Sequence, residues 1–174
     1  MSLSEKNSTQ KEPIEIERKL LIEYPDVAWL SSIPDCTVTE ITQTYLNSER
    51  NEELRVRKRG TNGKYTFYHT VKRKISALKR FENERTITEY EYLKLLENAD
   101  PTRRPIHKTR YCFPYQDQTL EIDVYPFWND KAILEIELND ENTPIAVPKQ
   151  IKILSDVTED ENYKNAALAK ITNS

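Results

Sequence analysis

Apolar and polar residues alternate one for one along much of this chain, and the polar positions are charged. In residues 13–23, Ile14, Ile16, Leu20 and Ile22 share one parity, while Glu15, Glu17, Lys19 and Leu21 share the other. A period of two marks a β-strand, because successive side chains leave opposite faces of a sheet. The same pattern predicts strands at about 38–47, 52–59, 64–74, 79–87, 104–113, 117–125 and 131–138. Asn47-Ser48-Glu49-Arg50-Asn51 and Thr61-Asn62-Gly63 supply hairpin turns. Pro25 to Ser32 reads as a short helix that stops before Pro34. Thr88 with Glu91 forms a capping box for a helix to about Asn98. Pro144 and Pro148 then break up a loop, and Asp160 or Thr158 caps a short C-terminal helix through Leu168 and Ile171. The expected fold is mainly β (α+β), with eight antiparallel strands and few helices. Eight strands can close into a barrel whose interior just admits side chains or one small ligand.

The charges do not scatter over these strands. Like charges recur two residues apart in Glu15/Glu17, Arg55/Arg57, Glu121/Asp123 and Glu135/Glu137, with looser pairs in Lys108/Arg110 and Glu82/Glu84. Residues i and i+2 share a face and lie roughly 7 Å apart. An outward charged face would be a solvated coat, and water exerts no pressure to sort acids from bases strand by strand. The sorting therefore places the charges in the lumen, with the apolar outer face covered by the helices. Such a surface suits a polyanion on one side and metal ions on the other.

Composition narrows the partners. The net charge is −3, which gives no overall basic field for nucleic acid, although charged residues make up 32% of the chain. No apolar run reaches the ~20 residues of a membrane span, and no signal-peptide pattern stands at the N-terminus. Cys36 and Cys112 are too few for a disulfide framework, so a reduced cytoplasmic chain with both cysteines as small core residues is expected. His69 and His107 fall opposite Lys72 and Lys108, which makes them structural. Trp29 and Trp128 read as packing groups, with Trp128 near enough to a strand end to touch a ligand. Residues 1–12 are polar and aperiodic and read as a disordered lead to a single domain over 13–174.

Glu15-x-Glu17-x-Lys19 resembles the ExExK signature of the CYTH superfamily, the triphosphate tunnel metalloenzymes. The resemblance continues in order through Gln43-Thr44-Tyr45-Leu46, Glu53-Leu54-Arg55-Val56-Arg57, Thr70-Val71-Lys72, Arg80-x-Glu82-x-Glu84 and Lys108-Thr109-Arg110-Tyr111. It closes with Leu120 to Tyr125, Leu134 to Leu138, and the segment from Asp156-Val157-Thr158 to Leu168-Ala169, which is similar to a C-terminal pattern of single-domain bacterial members. Pro126-Phe127-Trp128-Asn129 and Ser155 stand where the family often has glycine.

The resemblance implies a metal-dependent phosphohydrolase acting on a small-molecule triphosphate, such as inorganic tripolyphosphate or a nucleoside triphosphate. Lys19, Arg55, Arg57, Lys72, Arg80, Lys108 and Arg110 would bind the phosphates, because arginine can chelate their oxygens and lysine offers a point charge. Arg59 and Lys74 share faces with them but lie further along, near an entrance. Mg²⁺ or Mn²⁺ would take oxygen ligands from Glu15, Glu17, Glu135 and Glu137, with Glu82, Glu84 and Asp123 as further ligands or partners of the bases. Glu121 belongs to the same acidic set. Glu17, Lys19 and Arg57 are the expected catalytic residues. A class IV adenylyl cyclase or a thiamine triphosphatase would use the same fold, and a non-catalytic polyphosphate sensor could lose metal ligands. Every acidic pair is present, which favours an enzyme. No nucleic-acid or membrane partner is implied, and homodimerisation is left open.

Overall fold

A computed structural model describes residues 14–76 and 78–170. The expected lead at 1–12 and Ile171 lie outside the described residues. The strands are β1 (Ile14–Glu23), β2 (Thr37–Leu46), β3 (Glu52–Thr61), β4 (Lys64–Lys74), β5 (Lys79–Ile87), β6 (Ile106–Tyr115), β7 (Gln118–Val124), β8 (Lys131–Glu137) and β9 (Ile153–Asp156). The helices are α1 (Val27–Ser32), α2 (Glu89–Leu96) and α3 (Asn165–Leu168). All strand pairs are antiparallel, in the order β5-β4-β3-β2-β6-β7-β8-β1, and β1 closes the barrel by pairing with β5. The expected eight-stranded barrel is present, with strand ends that move by one or two residues.

β9 is a ninth strand where a loop was expected. It lies on β1 at Leu20–Ile22, while β5 takes Ile14–Ile16 of the same strand. All four of its residues are exposed. Without a buried face it has no alternation to advertise itself.

Two apolar clusters cover the outside of the barrel. Leu20, Ile22, Phe113, Leu120, Ile122, Leu134 and Ile136 pack under Leu30 and Trp29 of α1 and under Ile145, Val147 and Ile151 of the long connection after β8. Leu46, Val56 and Ile87 pack under Tyr92, Leu95 and Leu96 of α2. Each buried aliphatic side chain contributes about 1.5–3 kcal/mol, which is how the helices hold the apolar face outward and the charged face inward. α2 starts with the expected capping box: Glu91 N–H donates to Thr88 Oγ1 and Thr88 N–H to Glu91 Oε2, both at 3.1 Å. α1 starts two residues later than expected, with Asp26 accepting from Trp29 N–H.

A third cluster sits across one end of the barrel. Leu21, Tyr45, Ile106, Tyr125 and Ile133 are packed by Val157, Tyr163, Ala166, Leu168 and Ala169. The segment that seals this end is not the continuous helix expected. Asp160 caps only a three-residue 3₁₀ turn, Glu161–Tyr163. Lys164 is extended (φ −73°, ψ 145°) before α3 begins. Thr158 caps nothing and instead binds the backbone of Lys19.

The turns follow their residues. Asn62 and Gly63 have φ of 53° and 77°, the positive pair that a two-residue hairpin of this hand requires. Gly60 is forced by crowding, since a Cβ there would stand 1.9 Å from the Lys64 carbonyl oxygen. Among the described residues no helix is long and apolar enough to cross a membrane.

Candidate active site

Pleating puts one parity of each strand into the barrel, and the barrel encloses a cavity of about 830 Å³. Its wall carries Glu15, Glu17 and Lys19 of β1, Arg55, Arg57 and Arg59 of β3, and Lys72 and Lys74 of β4. Arg80, Glu82 and Glu84 come from β5, Lys108 and Arg110 from β6, Glu121 from β7, and Glu135 and Glu137 from β8. Asp123 lies directly behind Lys108 and Arg110. Every candidate phosphate- and metal-binding residue that the sequence singled out is thus brought to one place. The acids of β7, β8 and β1 stand on three neighbouring strands, while β3, β4 and β6 carry most of the bases.

The deepest group is Asp123, 0% exposed. Its carboxylate accepts from Lys108 Nζ at 2.7 Å and from Arg110 Nε and Nη2 at 2.7 and 2.8 Å. Arg110 also reaches Glu121 and, at 3.4 Å, Glu135. Lys19 Nζ lies 3.4 Å from Glu135 Oε1. Burial works against the charge on Glu135, but Lys19 and Arg110 overcome it and hold the group well below the usual carboxylate range.

Contacts loosen toward the seam between β1 and β5. Arg80 donates to Glu17 at 2.8 Å. Lys72 Nζ lies 3.3 Å from Glu82 and 3.5 Å from Glu15. Arg55 is 3.7 Å from Glu82, and Arg57 is 4.0 Å from Glu84. The Nε–H groups of Arg55 and Arg57 are buried without a hydrogen-bond partner, as is Glu15 Oε2. Burial and a hydrogen bond with Glu82 push Glu15 up to about 9. Burial likewise raises Glu121 to about 7. Burial and the nearby guanidiniums of Arg55 and Arg110 pull Arg57 down to about 10. Burial pulls Lys108 down to about 7, against the attraction of Asp123. Arg57 and Lys108 are therefore disfavoured as cations by burial and neighbouring cations, and Glu15 and Glu121 as anions by burial and neighbouring carboxylates. Added negative charge would relieve the first set, and added positive charge the second.

The acidic side fits a hard divalent cation in its donor chemistry. Glu17 stands directly across from Glu137, and Glu121 across from Glu135. Like charges facing each other across strands are destabilising unless something positive lies between them. Oxygen-only donors of this kind suit Mg²⁺ or Mn²⁺. Among the described residues no three His, Cys, Asp or Glu side chains already converge as ligands, because most of these carboxylates are turned toward tunnel bases.

Some placements depart from expectation. Cys112 is not a core residue: it shares the tunnel face of β6 with Lys108 and Arg110, opposite Glu121, and is half-buried. Cys36 is half-buried against the outer cluster under α1. Trp128 lines a separate groove with Tyr24, Thr109 and Tyr125, outside the tunnel. His69 and His107 do not line the cavity, as expected. Sequence reasoning missed Tyr45, Glu53, Arg103, Lys164 and Asn165, which also line it. Tyr45 and Asn165 fell inside recognisable segments, but Arg103 and Lys164 come from irregular stretches with no periodic signal.

Residues 13–167 match the family model described as CYTH domain. The chain is 32% identical over 160 residues to an inorganic triphosphatase of Nitrosomonas europaea, a match covering 89% of this chain and 96% of that one. The crystal structure of an inorganic triphosphatase superposes with a TM-score of 0.56 at 28% identity, covering 92% of this chain and 97% of that one. A conserved hypothetical protein from Pyrococcus furiosus superposes at 0.57 with 20% identity, over 74% and 80% of the two chains, and speaks for the fold alone. A charge-sorted barrel of this kind, matched almost from end to end, places the chain in the CYTH-domain family.

Proposed function

We propose that this protein is a metal-dependent triphosphatase that holds a linear triphosphate inside the barrel and releases its terminal phosphate. The observation that carries this reading is the unfinished bonding of the tunnel wall. Arg55 and Arg57 are buried with Nε–H donors that nothing accepts. Buried donors without acceptors are rare and each calls for a reason. A chain of phosphoryl oxygens supplies acceptors in number.

In this reading Arg55, Arg57, Lys72, Lys108 and Arg110 grip the phosphates, with Lys19 and Arg80 closing from the seam. Asp123 keeps Lys108 and Arg110 aimed by taking three of their hydrogen bonds. Glu15, Glu17, Glu135 and Glu137 would hold Mg²⁺ or Mn²⁺, with Glu82 and Glu84 as partners of the bases. A bound divalent ion supplies charge neutralisation and polarises phosphoryl oxygens. Glu17, released from Arg80, accepts a hydrogen bond from the attacking water and orients it toward the terminal phosphorus. Lys19 and Arg57 stabilise the charge that builds on the transferring group. The water oxygen bonds to the terminal phosphorus as the bridging P–O bond breaks, the water's protons leave with the phosphate products, and no covalent enzyme intermediate is required.

The relative from Nitrosomonas europaea, called an inorganic triphosphatase, supports inorganic tripolyphosphate as the substrate to try first. The test is release of orthophosphate and pyrophosphate from tripolyphosphate and from ATP, each with Mg²⁺, Mn²⁺ or EDTA. Orthophosphate release that EDTA abolishes is expected. Cyclic AMP with pyrophosphate from ATP would make the protein a cyclase instead, and tight binding without turnover a sensor.

A further inference from the structure

The cavity does not end at the residues just assigned. Lys74 follows Lys72 on the same face of β4, roughly 7 Å further along, and lines the same cavity. Lys164 and Lys170 reach it from the C-terminal segment, and Arg103 from the loop before β6. These four cations come from three parts of the chain well separated in sequence. Their placement is specified: Arg103 pairs with Lys170 through the backbone, contacts Asp100 at 3.6 Å and lies over the Tyr45 ring at 5.2 Å.

Two of these cations, Lys74 and Lys164, meet at one carboxylate. Glu161 Oε1 accepts from Lys74 Nζ at 2.8 Å and from Lys164 Nζ at 2.7 Å. Two ammonium groups converging on one oxygen is the arrangement a phosphoryl oxygen would meet. Glu161 is 62% exposed and carried by a three-residue turn, so its side chain is free to swing aside. Arg80, bound to Glu17 inside the tunnel, lies close enough to Lys164 to help lower its pKa. Arg80 thus stands between the tunnel cations and Lys164.

We propose that Lys74, Lys164, Lys170 and Arg103 form an accessory anion subsite that takes the fourth phosphate of a linear polyphosphate longer than a triphosphate, with the Glu161 carboxylate standing in for that phosphate until substrate displaces it. The assignment rests on the triphosphate reading of the tunnel. The same cations would also suit orthophosphate on its way out, so the test separates the two sources.

Calorimetric titration of the full chain with tripolyphosphate, tetrapolyphosphate and orthophosphate, in Mg²⁺ and in EDTA, reads binding independently of turnover. Tetrapolyphosphate is expected to bind about tenfold more tightly than tripolyphosphate, the worth of one added charge-assisted contact. Lys74→Ala and Lys164→Ala should each erase that preference and leave the tripolyphosphate affinity within roughly twofold. Glu161→Gln should widen the preference by removing the competitor. Unchanged melting temperatures guard against misfolded variants. Equal binding of the two chain lengths by the wild type, or a loss of both together in the variants, overturns the subsite while leaving the triphosphate reading intact. Orthophosphate binding that depends on Lys164, without any length preference, overturns the assignment to a fourth phosphate. Failure to bind either chain length overturns the triphosphate reading and the subsite with it.

Discussion

Two carboxylates on the tunnel wall, Asp123 and Glu15, have opposite surroundings. Asp123 is wholly buried, and its carboxylate accepts three short hydrogen bonds from Lys108 and Arg110. Glu15 has a long contact of 3.5 Å to Lys72, one oxygen without a hydrogen bond, and a pKa pushed up to about 9 by burial and by Glu82. Asp123 is the more deeply buried of the two, yet Glu15, with 23% of its side chain exposed, is the one whose charge is disfavoured, so burial alone does not make a site reactive. The number of partners does. A carboxylate surrounded by donors is a brace for the cations around it, while one left beside other carboxylates is a place for something the chain does not itself supply.

The comparison predicts opposite outcomes for removing each charge. Asp123→Ala strands two buried cations and should cost about 3–5 kcal/mol of stability, read as a fall in the urea midpoint. Glu15→Gln should hold the midpoint or raise it, and should weaken metal-dependent turnover. Equal loss of stability in both variants would break the distinction.

Glu17 sharpens it from the other side, since it stands at the seam but is paired with Arg80. Glu17→Gln should lower phosphate release about a hundredfold or more with an unchanged circular dichroism spectrum. Arg57→Ala should raise KM for tripolyphosphate as well as slow release. Normal activity in both variants would refute the site assignment.

A smaller effect is expected where the C-terminal segment is tied to β1. Lys19 N–H donates to Thr158 Oγ1 at 3.0 Å, and Lys19 C=O accepts from Val157 N–H at 2.9 Å. Thr158→Val leaves that buried N–H without a partner and should cost about 1–2 kcal/mol, with activity falling in step and Thr158→Ser restoring both. Unaltered activity in Thr158→Val would show that Lys19 needs no such support.

The same contrast also predicts a pH dependence. Glu15 holds its proton more tightly folded, at about 9, than its ordinary value of 4.5. A raised carboxylate favours the folded state fully below the ordinary value, and that advantage fades as pH rises through the folded one. The metal-free protein should therefore melt at progressively lower temperature between about pH 5 and 9, and Glu15→Gln should flatten that slope. A slope that survives the substitution would assign it to other groups, Glu121 first among them.

Much of this was legible in the sequence. Period-two alternation told which residues share a face, because a strand cannot present neighbours to the same side. Sorting by sign told that the charged face looks inward, and eight strands, two covering helices and the set from Glu15 to Glu137 follow from those patterns. β9 was missed because a four-residue edge strand with no buried side chain leaves no periodic mark. The C-terminal helix was overestimated because capping residues do not reveal that Lys164 turns extended between two short turns. Cys112 was misplaced because its tunnel parity was outweighed by the habit of treating cysteine as a core residue.

Local chemistry thus determined the strands, their faces and the kinds of charge they carry. Only the closed tertiary structure decided which charges meet. That Asp123 is surrounded by donors and Glu15 is left beside Glu82 depends on the strand order and on the joining of β1 to β5. That Lys74, Lys164 and Arg103 share one cavity depends on where the C-terminal segment crosses the barrel end. Pairing energies act across distances of a few ångströms between residues up to 139 positions apart, and no pattern along the chain records that proximity.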